Sequence, residues 1–137
     1  MTQAPPDPLL NAPQEAREFY ERCARGELAV QRCSACGTLR HYPRPHCTRC
    51  LSSGYTWQGC SGRGTLYTFT VIRQNLNPRF RERLPYVVAV VELDEGVRMV
   101  TGLAGIDAAH VDVGMPVEVV FETEPDGRTV PRFRPAA

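Results

Sequence analysis

Cys33-Ser-Ala-Cys36 and Cys47-Thr-Arg-Cys50, with ten residues between them, set four thiols in two pairs. Two Cys-x-x-Cys pairs can bring four sulfurs to one tetrahedral ion, each pair forming a knuckle. Gly37 follows the first pair, where a tight turn is easiest for a residue without a Cβ. The spacing predicts a structural metal site, Zn2+, held by Cys33, Cys36, Cys47 and Cys50, with disulfides or free thiols as the competing reading. Four thiolates close a tetrahedral site and leave no position for Lewis-acid chemistry. His41 and His46 are near enough in sequence to be considered as ligands but are expected outside a set already full. Cys23 and Cys60 are left over, and both are expected to be small buried apolar residues.

Other chemistry is thin. No Gly-x-Ser-x-Gly, phosphate-binding loop or dinucleotide fingerprint occurs, and His110 stands alone in an apolar turn. Asp94 and Glu95 are adjacent acids, but Gly96 makes them a hairpin tip before it makes them an acid–base pair. The chain has no lysine, so no side-chain Schiff base can form. These features predict a chain that is not itself an enzyme. The segment Arg73-Gln-Asn-Leu-Asn-Pro-Arg79-Phe80-Arg81-Glu-Arg-Leu-Pro-Tyr86 is different: it carries four arginines and two aromatics between two strands. Arg73, Arg79, Phe80, Arg81 and Tyr86 suit the phosphates and base of a nucleotide, or a single nucleic-acid strand. The bland alternative is a basic surface loop.

Charge is distributed to match. All sixteen basic residues are arginine, and no acid lies between Glu27 and Glu82, where eight arginines fall at 32, 40, 44, 49, 63, 73, 79 and 81. Residues 1–27 and 82–137 carry excess acid, so a net charge of +1 conceals a basic middle. Such a block attracts phosphate groups or an acidic partner, or merely faces solvent. No run of eighteen apolar residues is present, and Met1–Pro8 lacks the basic and apolar regions of a secretory signal. No membrane association and a reducing, cytoplasmic setting are therefore expected, which favours metal thiolates over disulfides.

The elements that must position these groups read as a mainly β chain in three parts. Residues 1–27 form a proline-rich arm and a helix from Pro13 to Arg25, its apolar stripe being Ala16, Phe19, Tyr20, Cys23 and Ala24. A small ribbon offers that stripe little core. It is therefore expected either to pack on the neighbouring domain or to dock a partner through Phe19 and Tyr20. Residues 28–60 form the ribbon, with a strand at Leu28–Arg32 and an extended return at His41–Pro45. Residues 61–137 give strands at 65–73, 85–93, 97–103, 117–122 and 130–134, with a short helix or turn at Gly105–Val111. Five strands with a helix between the third and fourth is the order of an OB-fold barrel.

A resemblance joins these parts. Leu28 and Arg32 before the first pair, Pro43-Arg44 before the second, Gly62-Arg-Gly-Thr-Leu-Tyr-Thr-Phe-Thr-Val71, Leu84-Pro-Tyr-Val-Val-Ala-Val-Val-Glu-Leu-Asp-Glu-Gly96, Gly114-Met-Pro-Val117 and Phe133-Arg-Pro135 occur in order. Together they resemble the bacterial and archaeal zinc-ribbon/OB-fold proteins associated with acyl-CoA enzymes. The resemblance implies an N-terminal helix, a rubredoxin-like zinc ribbon and a C-terminal five-stranded OB-fold barrel. It also implies a partner: a thiolase-like enzyme of the lipid-transfer-protein type found in steroid side-chain degradation, or a hydratase. In that setting CoA or acyl-CoA is the ligand, and the partner carries the chemistry. Two other readings stand beside it. A single-stranded nucleic-acid-binding protein is disfavoured by the acidic barrel half. Rubredoxin-like electron transfer is possible because four thiolates also hold iron.

Overall fold

The computed structural model describes residues 9, 11–74, 78 and 84–136. Helix α1 spans Gln14–Ala24, with Pro13 at its N-cap, where the missing N–H would have had no helical partner. Ala16, Phe19 and Cys23 recur at helical spacing and are its buried residues. The helix ends where Gly26, at φ 76°, donates its N–H to the Cys23 carbonyl at 2.9 Å.

Three strands follow: β1 (Ala29–Cys33), β2 (Leu39–Arg40) and β3 (Tyr55–Gly59), ordered β2-β1-β3. All pairing is antiparallel, with Gln31 opposite Arg40 on one side and Trp57 on the other. The return strand is the two-residue β2, not the extended run expected at His41–Pro45, and β3 is an element the sequence reading did not contain. The helix corrects a further expectation. It lies on the ribbon itself: Phe19 is 2% exposed, its ring 5.0 Å from His41 and 6.5 Å from Trp57. Phe19 is therefore spent inside the ribbon and cannot dock a partner.

The remaining strands are β4 (Arg63–Ile72), β5 (Tyr86–Leu93), β6 (Arg98–Gly102), β7 (Pro116–Thr123) and β8 (Thr129–Pro135). Their order is β6-β5-β4-β7-β8, and a parallel bridge between Leu103 and Phe133 nearly closes the barrel. A single 3₁₀ turn, Ala108–His110, stands where a short helix or turn was expected. The strand β4 pairs with both β5 and β7, and a register shift between Leu66 and Thr68 bends it. Gly64 is required there: a Cβ would lie 2.5 Å from the Glu92 carbonyl oxygen. Leu66, Val87, Ala89 and Val111 form the barrel core, with Phe69, Val71 and Leu103 packed on it. This is the mainly β architecture the pattern predicts, with ribbon first and barrel second.

By contacts, residues 1–60 and 121–131 form one unit; residues 61–120 and 132–137 form the other. Among the described residues no helix is long and apolar enough to cross a membrane.

Candidate metal centre and ligand loop

The two knuckles are built by the same turn. In the first, Gly37 N–H donates to the Cys33 carbonyl and Cys33 N–H to the Thr38 carbonyl, both at 2.9 Å. In the second, Leu51 N–H donates to the Cys47 carbonyl and Cys47 N–H to the Ser52 carbonyl, again both at 2.9 Å. Each turn reverses the chain so that its two sulfurs face the other pair. Cys33 and Cys50 Sγ atoms are 3.5 Å apart, Cys36 and Cys47 Sγ atoms 3.7 Å, and all four lie within 4.8 Å of one another. Sulfurs about 2.3 Å from one zinc stand about 3.8 Å apart in a tetrahedron, so this quartet is positioned for metal binding. All six cysteines of the chain are free, so the disulfide alternative is not the one adopted.

Electrostatics favour a cation among these sulfurs. The Thr38 hydroxyl and amide beside Cys36 draw its thiol down to about 6. The Ser52 amide also favours a Cys50 thiolate, but the Cys33 sulfur, desolvation and the other two sulfurs together push Cys50 up to about 11. Four anionic sulfurs this close repel, and a divalent ion relieves that repulsion. The Arg49 amide also points at Cys47 Sγ, at 3.3 Å. Neither nearby histidine is among the four ligating atoms. His46 is exposed, whereas His41 packs against Phe19 and Tyr42, and burial holds its imidazole down at about 4.

The ribbon also holds a polar knot that sequence reasoning missed. Gln31, fully buried, accepts from Arg40 Nε at 3.1 Å and from the Arg44 amide at 2.7 Å, and donates to the Arg44 carbonyl at 3.0 Å. Arg40 also donates to that carbonyl at 3.1 Å and is only 5% exposed. One of the eight arginines read as a surface charge is thus an internal strut; Arg32, Arg44, Arg49, Arg63 and Arg73 remain exposed. The helix is tied down by Glu18, whose carboxylate accepts from Trp57 Nε1 at 2.6 Å, Tyr55 Oη at 3.0 Å and Gln14 Nε2 at 2.9 Å. Burial pushes this carboxyl up, but those hydrogen bonds and Arg22 outweigh it and leave it below its ordinary 4.5.

The leftover cysteines differ. Cys23 is 1% exposed and its thiol is pushed up to about 12 by burial, as suits an inert core residue. Cys60 is half-buried and lines an open groove of about 420 Å³ with Arg22, Leu28, Ala29, Trp57 and Gly59. The Arg22 guanidinium stands 4.9 Å from the centre of the Trp57 ring in that groove. Glu95, at the hairpin tip, accepts the Ser61 N–H at 3.0 Å.

At the candidate ligand loop, Arg73 is exposed just past β4, and Tyr86 opens β5 directly opposite Ile72. The two are therefore brought to the same end of the β4–β5 pair. Arg79, Phe80 and Arg81 lie outside the described residues.

Comparison with known proteins gives concordant matches. Residues 21–56 match the family described as ChsH2, rubredoxin-like zinc ribbon domain, and residues 57–122 that described as ChsH2, C-terminal OB-fold domain. Over 132 residues the chain is 40% identical to a probable enoyl-CoA hydratase alpha subunit of Thermomonospora curvata, covering 96% of this chain and 40% of that protein. It is 38% identical over 124 residues to the 3-oxo-4,17-pregnadiene-20-carboxyl-CoA hydratase alpha subunit of Mycobacterium tuberculosis, covering 88% of this chain and 39% of that one. The chain thus spans about 40% of the length of these two relatives. A DUF35 domain-containing scaffold protein of Methanocaldococcus jannaschii is 35% identical over 92 residues, 66% of this chain and 64% of its own length. Among solved structures, a chain of the Ltp2-ChsH2(DUF35) aldolase superposes with a TM-score of 0.80 at 39% identity, covering 93% of this chain and 98% of that one.

Proposed function

The chain belongs to the ChsH2 family, a rubredoxin-like zinc ribbon joined to an OB-fold, and from that premise we propose that it is a non-catalytic accessory subunit of an acyl-CoA enzyme. It binds CoA or acyl-CoA and scaffolds or completes a partner of the thiolase-like, lipid-transfer-protein type, or an aldolase or hydratase, in lipid or steroid side-chain metabolism of the cytoplasm. The observation that carries this reading is the likeness, nearly end to end, to a chain of the Ltp2-ChsH2(DUF35) aldolase. The hydratase alpha-subunit and scaffold-protein names of other relatives point the same way.

The division of labour follows from the residues. Cys33, Cys36, Cys47 and Cys50 would hold a structural Zn2+, which ties the two knuckles together and, being four-coordinate, offers substrate no open position. Residues 1–27 and 28–60 supply the helix and ribbon, and 61–137 the OB-fold. In this reading Arg73, Arg79 and Arg81 meet the CoA phosphates, with Phe80 and Tyr86 against the adenine. The exposed Arg73 beside Tyr86, at the mouth of β4 and β5, supports that placement.

Titration calorimetry with CoA, on the chain alone and with its partner enzyme, tests it. Binding in at least one case, weakened about tenfold by Arg73→Glu, is expected. No heat in either case overturns the CoA assignment.

A further inference from the structure

Leu51 sits where the fold gives no reason for a leucine. The two knuckles make the same pair of backbone hydrogen bonds, and in each the residue after the second cysteine adopts a left-handed backbone: Gly37 at φ 76° and Leu51 at φ 67°. Among the described residues Leu51 is the only non-glycine with positive φ. A γ-branched side chain rarely adopts that conformation, and glycine does so freely. The side chain recovers nothing by burial, because Leu51 is 75% exposed, more than any other large apolar residue described. Backbone outliers of this kind cluster at functional sites, and here the strained residue holds its apolar side chain out toward solvent.

Its surroundings define the partner's chemistry. Arg49 lies within the same knuckle, Arg44 precedes it, and Arg32 borders the first knuckle, its guanidinium 3.7 Å from where a Gly37 Cβ would be. All three are exposed, and no acidic residue lies between Glu27 and Glu82. Among the described residues none of them forms an ion pair, while Arg25, Arg98, Arg128 and Arg134 all do. The second knuckle therefore carries an apolar anchor on a stretch of chain whose only charged side chains are arginines. The complement is an apolar pocket rimmed by carboxylates, which a folded protein surface provides and a nucleic-acid backbone does not.

We propose that the second knuckle is a docking surface on which Leu51 inserts into an apolar pocket of an acidic face on the partner enzyme subunit, with Arg44 and Arg49 against its carboxylates. The inference rests on the reading of the chain as an accessory subunit and specifies how that assembly is held.

The test uses the full chain, zinc-loaded, and the acyl-CoA enzyme subunit recovered with it from its native source. Leu51→Gly removes the anchor and relaxes the backbone, so its two effects should have opposite sign. The melting temperature of the free chain should rise by about 3 °C with zinc content unchanged, while affinity for the enzyme subunit falls at least about tenfold. Arg49→Glu should weaken binding and flatten its salt dependence. If the wild-type chain binds the subunit and both variants bind it equally well, the docking surface is wrong and the accessory role stands. If the wild-type chain binds no such subunit, the accessory role falls and the docking surface with it. A lowered melting temperature for Leu51→Gly would show that Leu51 packs within the chain and overturn the proposal. So would retardation of a single-stranded oligonucleotide by the wild type and not by Arg49→Glu.

Discussion

Gln31 and Arg44 hold the buried Arg40 guanidinium in place with no carboxylate among the described residues, using one side-chain amide and one backbone carbonyl. A buried charge so held depends on every member of the knot. Gln31→Leu keeps the volume but strands Arg40 Nε and the Arg44 amide. The zinc-loaded chain should lose about 2–3 kcal/mol of stability in urea unfolding. The second residue-scale prediction concerns His41, whose value near 4 in the fold lies below its ordinary 6.5. The unfolded chain therefore takes up the proton first. Stability is full above 6.5 and is lost as pH falls from 6.5 toward 4. Glu18, held below 4.5, adds a loss only in more acid solution. Thermal melts between pH 7 and 5 should fall more steeply for the wild type than for His41→Phe, a control that shares the same sulfurs. None of this was legible in the sequence. A buried glutamine bonding a carbonyl thirteen residues away leaves no local pattern, and placing His41 outside a full ligand set does not reveal the aromatic packing that claims it.

At the scale of elements the ribbon is small, and its core is a helix face, three short strands and the sulfur quartet. Metal binding then supplies much of its folding energy. Trp57 is the only tryptophan of the chain and lies on β3, so its fluorescence reports on the ribbon alone. Cys47→Ser, or a strong chelator acting on the wild type, should abolish the folded Trp57 signal. A wild-type signal in the metal-free protein would show the metal to be dispensable. In the barrel, Gly64→Ala drives a methyl group toward the Glu92 carbonyl and should cost about 1–3 kcal/mol in urea unfolding. The barrel strands were readable because alternation and turn glycines mark them. The strand β3 was not, because Tyr55-Thr-Trp-Gln-Gly59 is short and flanked by serines and glycines, and its partner β1 lies across both knuckles. The helix was legible as a helix, but its bed was not: Phe19 meets residues 22 and 38 positions further along.

For the whole molecule, the family and both of its halves follow from ordered motifs, and the metal quartet follows from spacing alone. What the chain works with is another matter, because an accessory subunit carries its function on surfaces that look like ordinary exposed residues until a partner covers them. In the reading proposed above, Arg73 beside Tyr86 and Leu51 in its strained knuckle are two such places. The central claim is that this chain operates within an acyl-CoA enzyme assembly. Isolation of the tagged chain from its native source, with quantitative mass spectrometry and metal analysis of the purified material, tests it most directly. The account predicts an acyl-CoA enzyme subunit in stoichiometric amount and zinc equimolar with the chain. Recovery of the chain alone, or with nucleic acid and no such subunit, would contradict it.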